Sequence, residues 1–262
     1  MKWLAVLKLK YGSNNVKRKV LSEVGSPGHN WASDAVYQLI FHSETLRLEA
    51  IKTLGKMQDY PKLRNFTNSP LYDHNREVQE ETLNSLVYCV KSNKYYVEEL
   101  LRRISTMQRV ECYEIDPIAA GIVLGRIGTP KIIRELVSLR HYTWSIGAAN
   151  RGLVEAGKKA KPFLYETIFC SHPMASSVRA LTDLADENDI KSLLKIREME
   201  IIDGDSSNCK SVVDSILNSI LSKSINKVQN DDLELLAKTD SRSDFVDTAK
   251  KEILSRGNYT KS

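Results

Sequence analysis

The sequence predicts an all-α fold, a right-handed α-solenoid of about six helix pairs with helical caps at both ends. Three observations support this prediction: the helical spacing of apolar residues, the cap and stop signals at helix ends, and a pattern that recurs every 29 to 38 residues. No segment shows the strict alternation of apolar and polar residues that is typical of a half-buried strand. Because a short amphipathic helix cannot bury its apolar face alone, the predicted helices must stack on one another.

A short side chain followed four positions later by leucine marks each predicted repeat. Chance produces single copies of this pattern, but six copies at a period of about 20–50 residues indicate stacked repeats. We expect the leucine of each pair to be buried between helices. The pairs are Ala50 with Leu54, Thr82 with Leu86, Ala120 with Leu124, Ala149 with Leu153, Ala180 with Leu184, and Val213 with Leu217.

The segment before the repeats, residues 1–42, is predicted to form basic capping helices. Residues 1–24 contain six lysine or arginine residues and a single acid, Glu23. One interpretation is a cap whose charges lie in water, and the other is a contact with an acidic surface. Gly25 and Pro27 then predict a loop, which a further helix follows.

The repeats themselves are predicted over residues 43–222, and their signals are clearest in the stretch 116–140. Asp116 suits the cap position of a helix, Pro117 suits its first turn, and Gly128 suits its end. Thr129 and Pro130 then repeat the start signal. Three more helices are predicted near the end of the chain. Residues 223–262, which contain the last two of them, are expected to form the second cap, because terminal repeats must present one polar face. Their ranges are 208–222, 231–237 and 243–256.

Four segments resemble the first helices of HEAT-like repeats: LEAIKTLGKM, AAGIVLGRIG, GAANRGLVEAG and SVRALTDLAD. The resemblance covers residues 43–222. It implies that the first helix of each pair lines a convex face and the second helix a concave face. It implies no particular activity, because HEAT-like repeats serve many roles.

The sequence offers little support for catalysis. It contains no P-loop, no GxSxG and no GxGxxG. None of its five histidines is followed by glutamate, whereas deoxyhypusine hydroxylase, a HEAT-like enzyme family, binds iron through His-Glu pairs. The four cysteines lie far apart without zinc spacing, so we expect no metal and no cofactor. Reduced cysteines favour a cytoplasmic location, and no apolar run is long enough for a membrane span.

Two other HEAT-like families provide alternatives. Alkylpurine DNA glycosylases are basic proteins that hold a damaged base with tryptophans and a carboxylate. Here Arg140, Tyr142 and Trp144 lie close together in the sequence, and such residues can stack on bases and contact phosphates. The competing interpretation is that these aromatic residues fill the junction between two repeats, and no carboxylate follows Trp144 within one helical turn. Phycobilin lyases have similar repeats, although no residue here points to a bilin.

Charge is unevenly distributed between the two predicted sets of helices. The second helices of repeats two to five sum to +6 and the first helices to −5, whereas the whole chain carries only +5. A basic concave face would attract acidic partners. The second helices were counted over 94–110, 130–143, 158–169 and 188–200, and the first helices over 75–91, 111–127, 145–157 and 174–187.

A lysine recurs near the start of each second helix, 11 or 12 positions after the marker residue. A cation there opposes the helix dipole by about 0.3–1 kcal/mol at an exposed site. Either acids such as Asp59, Glu155 and Asp186 pair with these lysines, or the lysines form a row that faces an acidic partner. The lysines are Lys62, Lys94, Lys131, Lys161 and Lys191.

We therefore expect a non-enzymatic scaffold or adaptor that binds an acidic protein surface along its concave face. A nucleic-acid-binding protein is the alternative. The expected partner-binding residues combine the recurrent lysines with nearby arginines and aromatic residues: Lys94, Arg102, Lys131, Arg134, Arg140, Tyr142, Trp144, Lys161 and Lys191.

Overall fold

Helices account for every secondary-structure element in the described part of the chain, which confirms the all-α prediction there. The chain divides into two compact units, Met1–Ala156 and Gly157–Ser262. No helix in the described ranges is long and apolar enough to cross a bilayer. The computed structural model describes residues 2–73, 75–106, 115–139, 145–169, 175–199, 206–239 and 244–259.

The first unit contains helices α1 to α11, with single 3₁₀ turns at 30–32 and 44–46. Their bounds are α1 Lys2–Tyr11, α2 Asn14–Val24, α3 Ser33–His42, α4 Arg47–Met57, α5 Tyr60–Phe66, α6 Pro70–Asp73, α7 Arg76–Val90, α8 Lys94–Thr106, α9 Pro117–Ile127, α10 Pro130–Leu139 and α11 Ile146–Ala156.

The helices of the first unit pack in a regular order. Helix α2 contacts α4, α4 contacts α7, α7 contacts α9, and α9 contacts α11. Helix α5 packs against α4 and α7, α8 against α7 and α9, and α10 against α9 and α11. The marker leucines Leu54, Leu86, Leu124 and Leu153 are all fully buried in this packing, as predicted.

The local signals at the α9–α10 turn are confirmed. Asp116 accepts a hydrogen bond at 2.8 Å from the backbone N–H three residues later, and Pro117 occupies the first turn of α9. Gly128 ends α9 in the left-handed region, with φ of 57°, where a side chain would be strained. Helix α10 begins at Pro130. Residues 116–139 therefore fold as a helix pair because their start and stop signals are local.

The second unit contains helices α12 to α17, with 3₁₀ turns at 157–160, 187–189 and 225–227. Helix α15 packs against α13, α14 and α17, and α16 packs against α14 and α17. The three helices predicted near the end of the chain are confirmed as α15, α16 and α17. The bounds are α12 Lys161–Ile168, α13 Ala175–Ala180, α14 Ile190–Glu198, α15 Ser206–Ser224, α16 Asn230–Lys238 and α17 Asp244–Tyr259.

The predicted first helix of repeat five is shorter than expected. Helix α13 ends at Ala180, and the backbone N–H groups of Leu181, Thr182 and Leu184 then bond three residues back instead of four. This hydrogen-bonded turn ends the regular α-helix and changes which side chain points inward. Leu181 is buried and Leu184 only half-buried, so the prediction for Leu184 is wrong. The remaining marker leucine, Leu217, is buried as predicted.

Candidate partner-binding surface

The structure describes six of the nine predicted partner-binding residues. Arg140, Tyr142 and Trp144 lie outside the described residues. Four of the six belong to the first unit, on helices α8 and α10, and two belong to the second unit, on α12 and α14. The four are Lys94, Arg102, Lys131 and Arg134, and the two are Lys161 and Lys191.

Helix α8 presents a polar face in the first unit. Lys94, Glu98 and Arg102 are four residues apart, so they lie on one side of the helix. The side chain of Lys94 is 80% exposed and pairs with Glu98 at 3.4 Å. Beside them Tyr95 is 69% exposed, although aromatic residues of this size are usually more buried. This face therefore offers charge together with one large exposed ring.

A cavity of about 280 Å³ opens on this face. Its lining joins α5 to α8, because Arg64 comes from α5 and the other lining residues come from α8. On the same two helices, the rings of Tyr60 and Tyr96 stack with centroids 4.1 Å apart. The α8 residues that line the cavity are Tyr95, Glu98, Glu99 and Arg102.

A hydrogen-bonded network joins two lining residues of this cavity, Arg64 and Glu99, to the buried Tyr60. Glu99 accepts a hydrogen bond from Arg64 at 2.8 Å and one from the Tyr60 hydroxyl at 3.2 Å. Tyr60 is almost fully buried. Burial, and then the charge of Glu99, raises the pKa of Tyr60, so its hydroxyl stays a donor at neutral pH. The guanidinium carbon of Arg64 lies 5.8 Å from the centre of the Tyr60 ring. These contacts fix the positions of Arg64 and Glu99 in the cavity wall.

Side-chain caps fix where α5 and α8 begin. The Asp59 side chain accepts a hydrogen bond from the backbone N–H of Lys62 at 3.3 Å and so caps the start of α5. The Asn93 side chain does the same for the backbone N–H of Tyr95 at 3.1 Å, at the start of α8. Both rings of the Tyr60–Tyr96 stack thus come from the first turns of capped helices.

Helix α10 adds two exposed cations. Lys131 and Arg134 are both exposed, one helical turn apart, on the helix that packs against α8. Within the described part of the chain Lys131 has no ion pair. The exposed positions of α8 and α10 therefore carry four cations against the acids Glu98 and Glu135.

Lys161 is placed differently from these surface cations. It is buried, and its ammonium group donates hydrogen bonds to Asp189 at 2.5 Å and to Asp186 at 2.9 Å. Tyr165 donates a third hydrogen bond into this group, to Asp189 at 2.8 Å. Burial lowers the pKa of Lys161, but the bonds to the two carboxylates outweigh burial and raise it. Lys161 thus occupies an internal ion-pair network and not an exposed face.

Lys191 lies on the surface of the second unit. Its side chain is 67% exposed and its ammonium group lies 3.5 Å from a carboxylate oxygen of Asp232. It lines a cavity of about 380 Å³ between α14 and α16, together with Leu194 and Leu235. This second surface is basic as well, because Lys195 also lines it.

The recurrent lysines therefore do not share one environment. Lys62 pairs with Asp59 at 3.3 Å, as expected for a structural ladder, and also with Asp34 at 3.0 Å. Glu155 does not pair with a lysine: it accepts a hydrogen bond from Arg126 at 3.1 Å. Local acids offset the unfavourable helix dipole at four of the five lysines, through a different partner each time. Lys131 forms no ion pair within the described ranges, although Glu135 lies one helical turn further along α10.

Sequence reasoning missed the most organised part of the surface. The adjacent Tyr95 and Tyr96 were visible in the sequence, but nothing there joined them to Arg64, Tyr60 or Glu99. The ion pair between Arg64 and Glu99 spans 35 residues. Only the packing of α5 beside α8 brings these groups together.

The described residues give no support to a reactive centre. No group of three His, Cys, Asp or Glu within the described ranges could hold a metal ion. Cys89 is a buried free thiol, and burial raises its pKa to about 12, so it is protonated at neutral pH and a poor nucleophile. No protein-family model matches the chain, and no curated protein is significantly similar to it.

Proposed function

We propose that the protein is a non-enzymatic scaffold that binds an acidic protein partner through the exposed face of α8 and α10. The observation that carries this proposal is the combination of Lys94, Arg102, Lys131 and Arg134 with the exposed ring of Tyr95. Arginine and tyrosine are enriched where protein interfaces gain most of their binding energy. Exposed cations accelerate the encounter with an acidic surface and favour it over a basic one.

The proposal includes a HEAT-like solenoid of the predicted kind, right-handed, with repeats over 43–222 and caps over 1–42 and 223–262. The sequence of helix contacts in the first unit supports this solenoid. Helix α4 packs against α7, α7 against α9, and α9 against α11. In such a stack α8 and α10 are second helices and belong to the concave side. Repeat proteins commonly bind partners on that side, because curvature creates an extended surface.

The organisation below the surface also supports a binding role. Ordering side chains when a complex forms costs free energy, so binding groups that are already ordered give higher affinity. The stack of Tyr60 on Tyr96 and the bonds of Glu99 fix the base from which Tyr95 projects. Among the residues that the structure describes, Lys131 has no ion pair to lose on binding.

The cytoplasm is the proposed location. The four cysteines lie far apart in the sequence, and Cys89 is a free thiol inside the first unit. A buried free thiol of this kind is usual in a reducing compartment.

Charge reversal on α10 tests the proposed function. The variant Lys131→Glu with Arg134→Glu is compared with Lys250→Glu with Lys251→Glu, which makes the same charge change at exposed positions of α17. Each protein is immobilised and exposed to lysate, and the bound proteins are identified by mass spectrometry. We expect an acidic protein that the native chain and the α17 variant retain and the α10 variant loses. Equal retention by both variants would contradict the proposed surface.

A salt titration with duplex DNA separates this proposal from nucleic-acid binding. If α8 and α10 bind an acidic protein and not DNA, any duplex DNA binding at low salt should be unchanged by the α10 charge reversal. A protein that contacts several phosphates would instead bind and lose affinity by orders of magnitude between about 50 and 200 mM salt. That second result, abolished by the α10 charge reversal, would replace the protein partner with nucleic acid.

A further inference from the structure

The first two helices carry all of the net charge of the molecule. Residues 1–24 contain six cationic side chains and one acid, a net +5, which equals the net charge of the whole chain. Residues 25–262 are therefore electroneutral in sum. Five of the six cationic side chains are exposed, and Lys17 is half-buried. The net positive charge of the chain thus equals that of α1 and α2.

Helix α1 turns an apolar face outward. Leu9 is its one fully buried residue within Lys2–Tyr11. At 3.6 residues per turn, Leu4 and Tyr11 lie on the side opposite Leu9, and Trp3 lies at the edge of that side. Their exposed fractions are 52% for Leu4, 81% for Tyr11 and 73% for Trp3. Such a cluster on one helix is unusual for a surface that meets only water.

Lysines border this face on both sides. By the same helical geometry Lys8 lies on one flank of the outward face and Lys10 lies on the other. Both are exposed. The outward side of α1 therefore consists of an apolar stripe with one lysine on each flank, and the helix contains no acidic residue.

Helix α1 is packed against the rest of the first unit through its other side. It contacts α2, α3 and the 3₁₀ turn at 30–32. Helix α2 is in turn anchored by buried Val20, Leu21 and Val24 and by its packing on α4. The ion pair of Arg18 with Glu49, at 3.4 Å, adds to this anchoring. The outward face is thus displayed by a helix that the fold holds in place.

We propose that α1 docks the protein on an anionic phospholipid bilayer and lies flat in the headgroup region. Positive charge alone would suit any acidic partner. The outward Trp3, Leu4 and Tyr11 gain free energy when they leave water, and tryptophan and tyrosine favour the membrane–water interface. Lysines on the flanks of such a helix extend toward the phosphates while their methylene groups stay near the acyl chains. A single helix with this order of side chains fits a bilayer surface.

A cavity beside the apolar face provides a place for lipid phosphate. Its volume is about 580 Å³, and it lies between α1, α2 and α3. Lys10 and Lys17 both line it, next to Tyr11 and Leu39. Two ammonium groups over a partly apolar wall match a phosphate that is attached to a lipid.

This inference goes beyond the proposed scaffold function and does not depend on it. Membrane docking through α1 leaves the α8 and α10 face unused. A scaffold recruited in this way would bring its partner to the membrane surface.

Sedimentation with vesicles tests the proposal on the full chain. Phosphatidylcholine vesicles with and without phosphatidylserine are compared at about 0.1 and 1 M salt, where the Debye length falls from about 10 to 3 Å. We expect binding to the anionic vesicles only, weakened at high salt. Each basic residue near such a surface strengthens binding about fivefold, so Lys8→Gln with Lys10→Gln should weaken binding about 25-fold. The matched control is Lys250→Gln with Lys251→Gln, which should weaken binding far less.

The apolar contribution has its own test. Trp3→Ser with Leu4→Ser should weaken vesicle binding at least tenfold, whereas Leu254→Ser, at a position 69% exposed on α17, should not. The tryptophan fluorescence maximum of the native chain should shift to shorter wavelength on anionic vesicles, and Trp3→Phe should remove most of that shift. Three results would overturn the proposal: no binding to anionic vesicles, equal binding to neutral ones, or no effect of the Trp3 and Leu4 changes. None of these results bears on the α10 charge reversal, so the two proposals fail separately.

Discussion

Gly125 of α9 packs directly on the backbone of Gly152 in α11. A Cβ atom built at position 125 would overlap the carbonyl oxygen of Gly152, and one built at Gly121 would overlap that of Ala148. In the other direction, a Cβ atom at position 152 would lie 2.6 Å from the Gly121 carbonyl oxygen. Three glycines therefore allow two neighbouring helices to touch through their backbones, which any larger residue would prevent.

Gly125→Ala should destabilise the protein, although alanine is the better helix former. The added methyl group must push α9 and α11 apart, at a cost of about 1–3 kcal/mol. Gly147→Ala in α11 is the matched control, because a Cβ atom there meets only one side-chain atom, at 4.0 Å. That change should stabilise the protein by about 0.5–1 kcal/mol through helix propensity. Urea unfolding of both variants checks the opposite signs, and equal stability would show that α9 and α11 are not in backbone contact.

Lys161 and Lys131 occupy corresponding positions in the predicted repeats, yet they should respond differently to the same substitution. Lys161→Ala would remove the buried cation of Asp189 and leave Asp186 paired with the exposed Lys158, 3.3 Å away. Loss of the buried cation should cost about 3 kcal/mol or more. Lys131→Ala removes an exposed side chain with no ion pair in the described ranges and should change stability by less than about 0.5 kcal/mol. Denaturant unfolding measures both changes. Equal losses of stability would mean that the buried network is not formed.

Asp186 should make stability depend on acid pH. Burial by itself raises the pKa of Asp186, but hydrogen bonds from Lys161 and Asn188 outweigh burial and hold that pKa well below its usual range. A depressed pKa contributes stability that is present above the unfolded-state pKa of about 4 and is lost as pH falls toward the folded-state value. Asp186→Asn should therefore lower stability at neutral pH and flatten its decline between about pH 5 and 2.

A nearby exposed carboxylate, three residues before Asp186, serves as the control for this pH effect. Asp183 is exposed and has no ion pair in the described part of the chain. Asp183→Asn should therefore leave both the stability and its pH dependence close to those of the native chain. Urea midpoints measured across the acid range would refute the role of Asp186 if the Asp186→Asn and native curves ran parallel.

The parts of the fold that sequence could predict are those with local causes. The turn between α9 and α10 depends on Asp116, Gly128 and Pro130, each of which acts within a few residues of itself. Helical spacing likewise identified the buried leucines wherever the helix continued, as at Leu124. It failed at Leu184, because the helix gives way to a turn after Ala180, which shifts the inward direction without a signal in the spacing of apolar residues.

The parts that sequence could not predict depend on the register between neighbouring helices. Lys161 meets acids 25 and 28 residues further along the chain, and Arg64 meets an acid 35 residues away. A repeat period places such groups in adjacent helices but leaves their rotation and axial offset open. Consequently, the same recurrent lysine lies inside the second unit at position 161 and on the surface at position 131. The predicted binding residues on α8 and α10 remain a proposal that only binding measurements can test.

Tyr95 and Tyr96 offer the sharpest separation of binding from stability, because they are adjacent and of the same type. Tyr96 stacks on buried Tyr60, and such a pair contributes about 0.5–1.5 kcal/mol beyond the area it buries. Tyr96→Ala should therefore lower the free energy of unfolding. Tyr95 is 69% exposed and touches the Tyr96 ring edge to face, with centroids 5.9 Å apart. Tyr95→Ala should therefore cost less stability than Tyr96→Ala and weaken partner binding by about 2 kcal/mol, as at an interface hot spot.

The comparison needs unfolding curves for both variants and a binding isotherm for each with the acidic protein that the capture experiment identifies. In the proposed arrangement the two residues differ because helical geometry points neighbouring side chains about 100° apart, one into the stack with α5 and one into solvent. Tyr95→Ala with full affinity would remove the exposed ring from the proposed surface. Tyr95→Ala with a stability loss equal to that of Tyr96→Ala would show instead that the ring packs against its own unit.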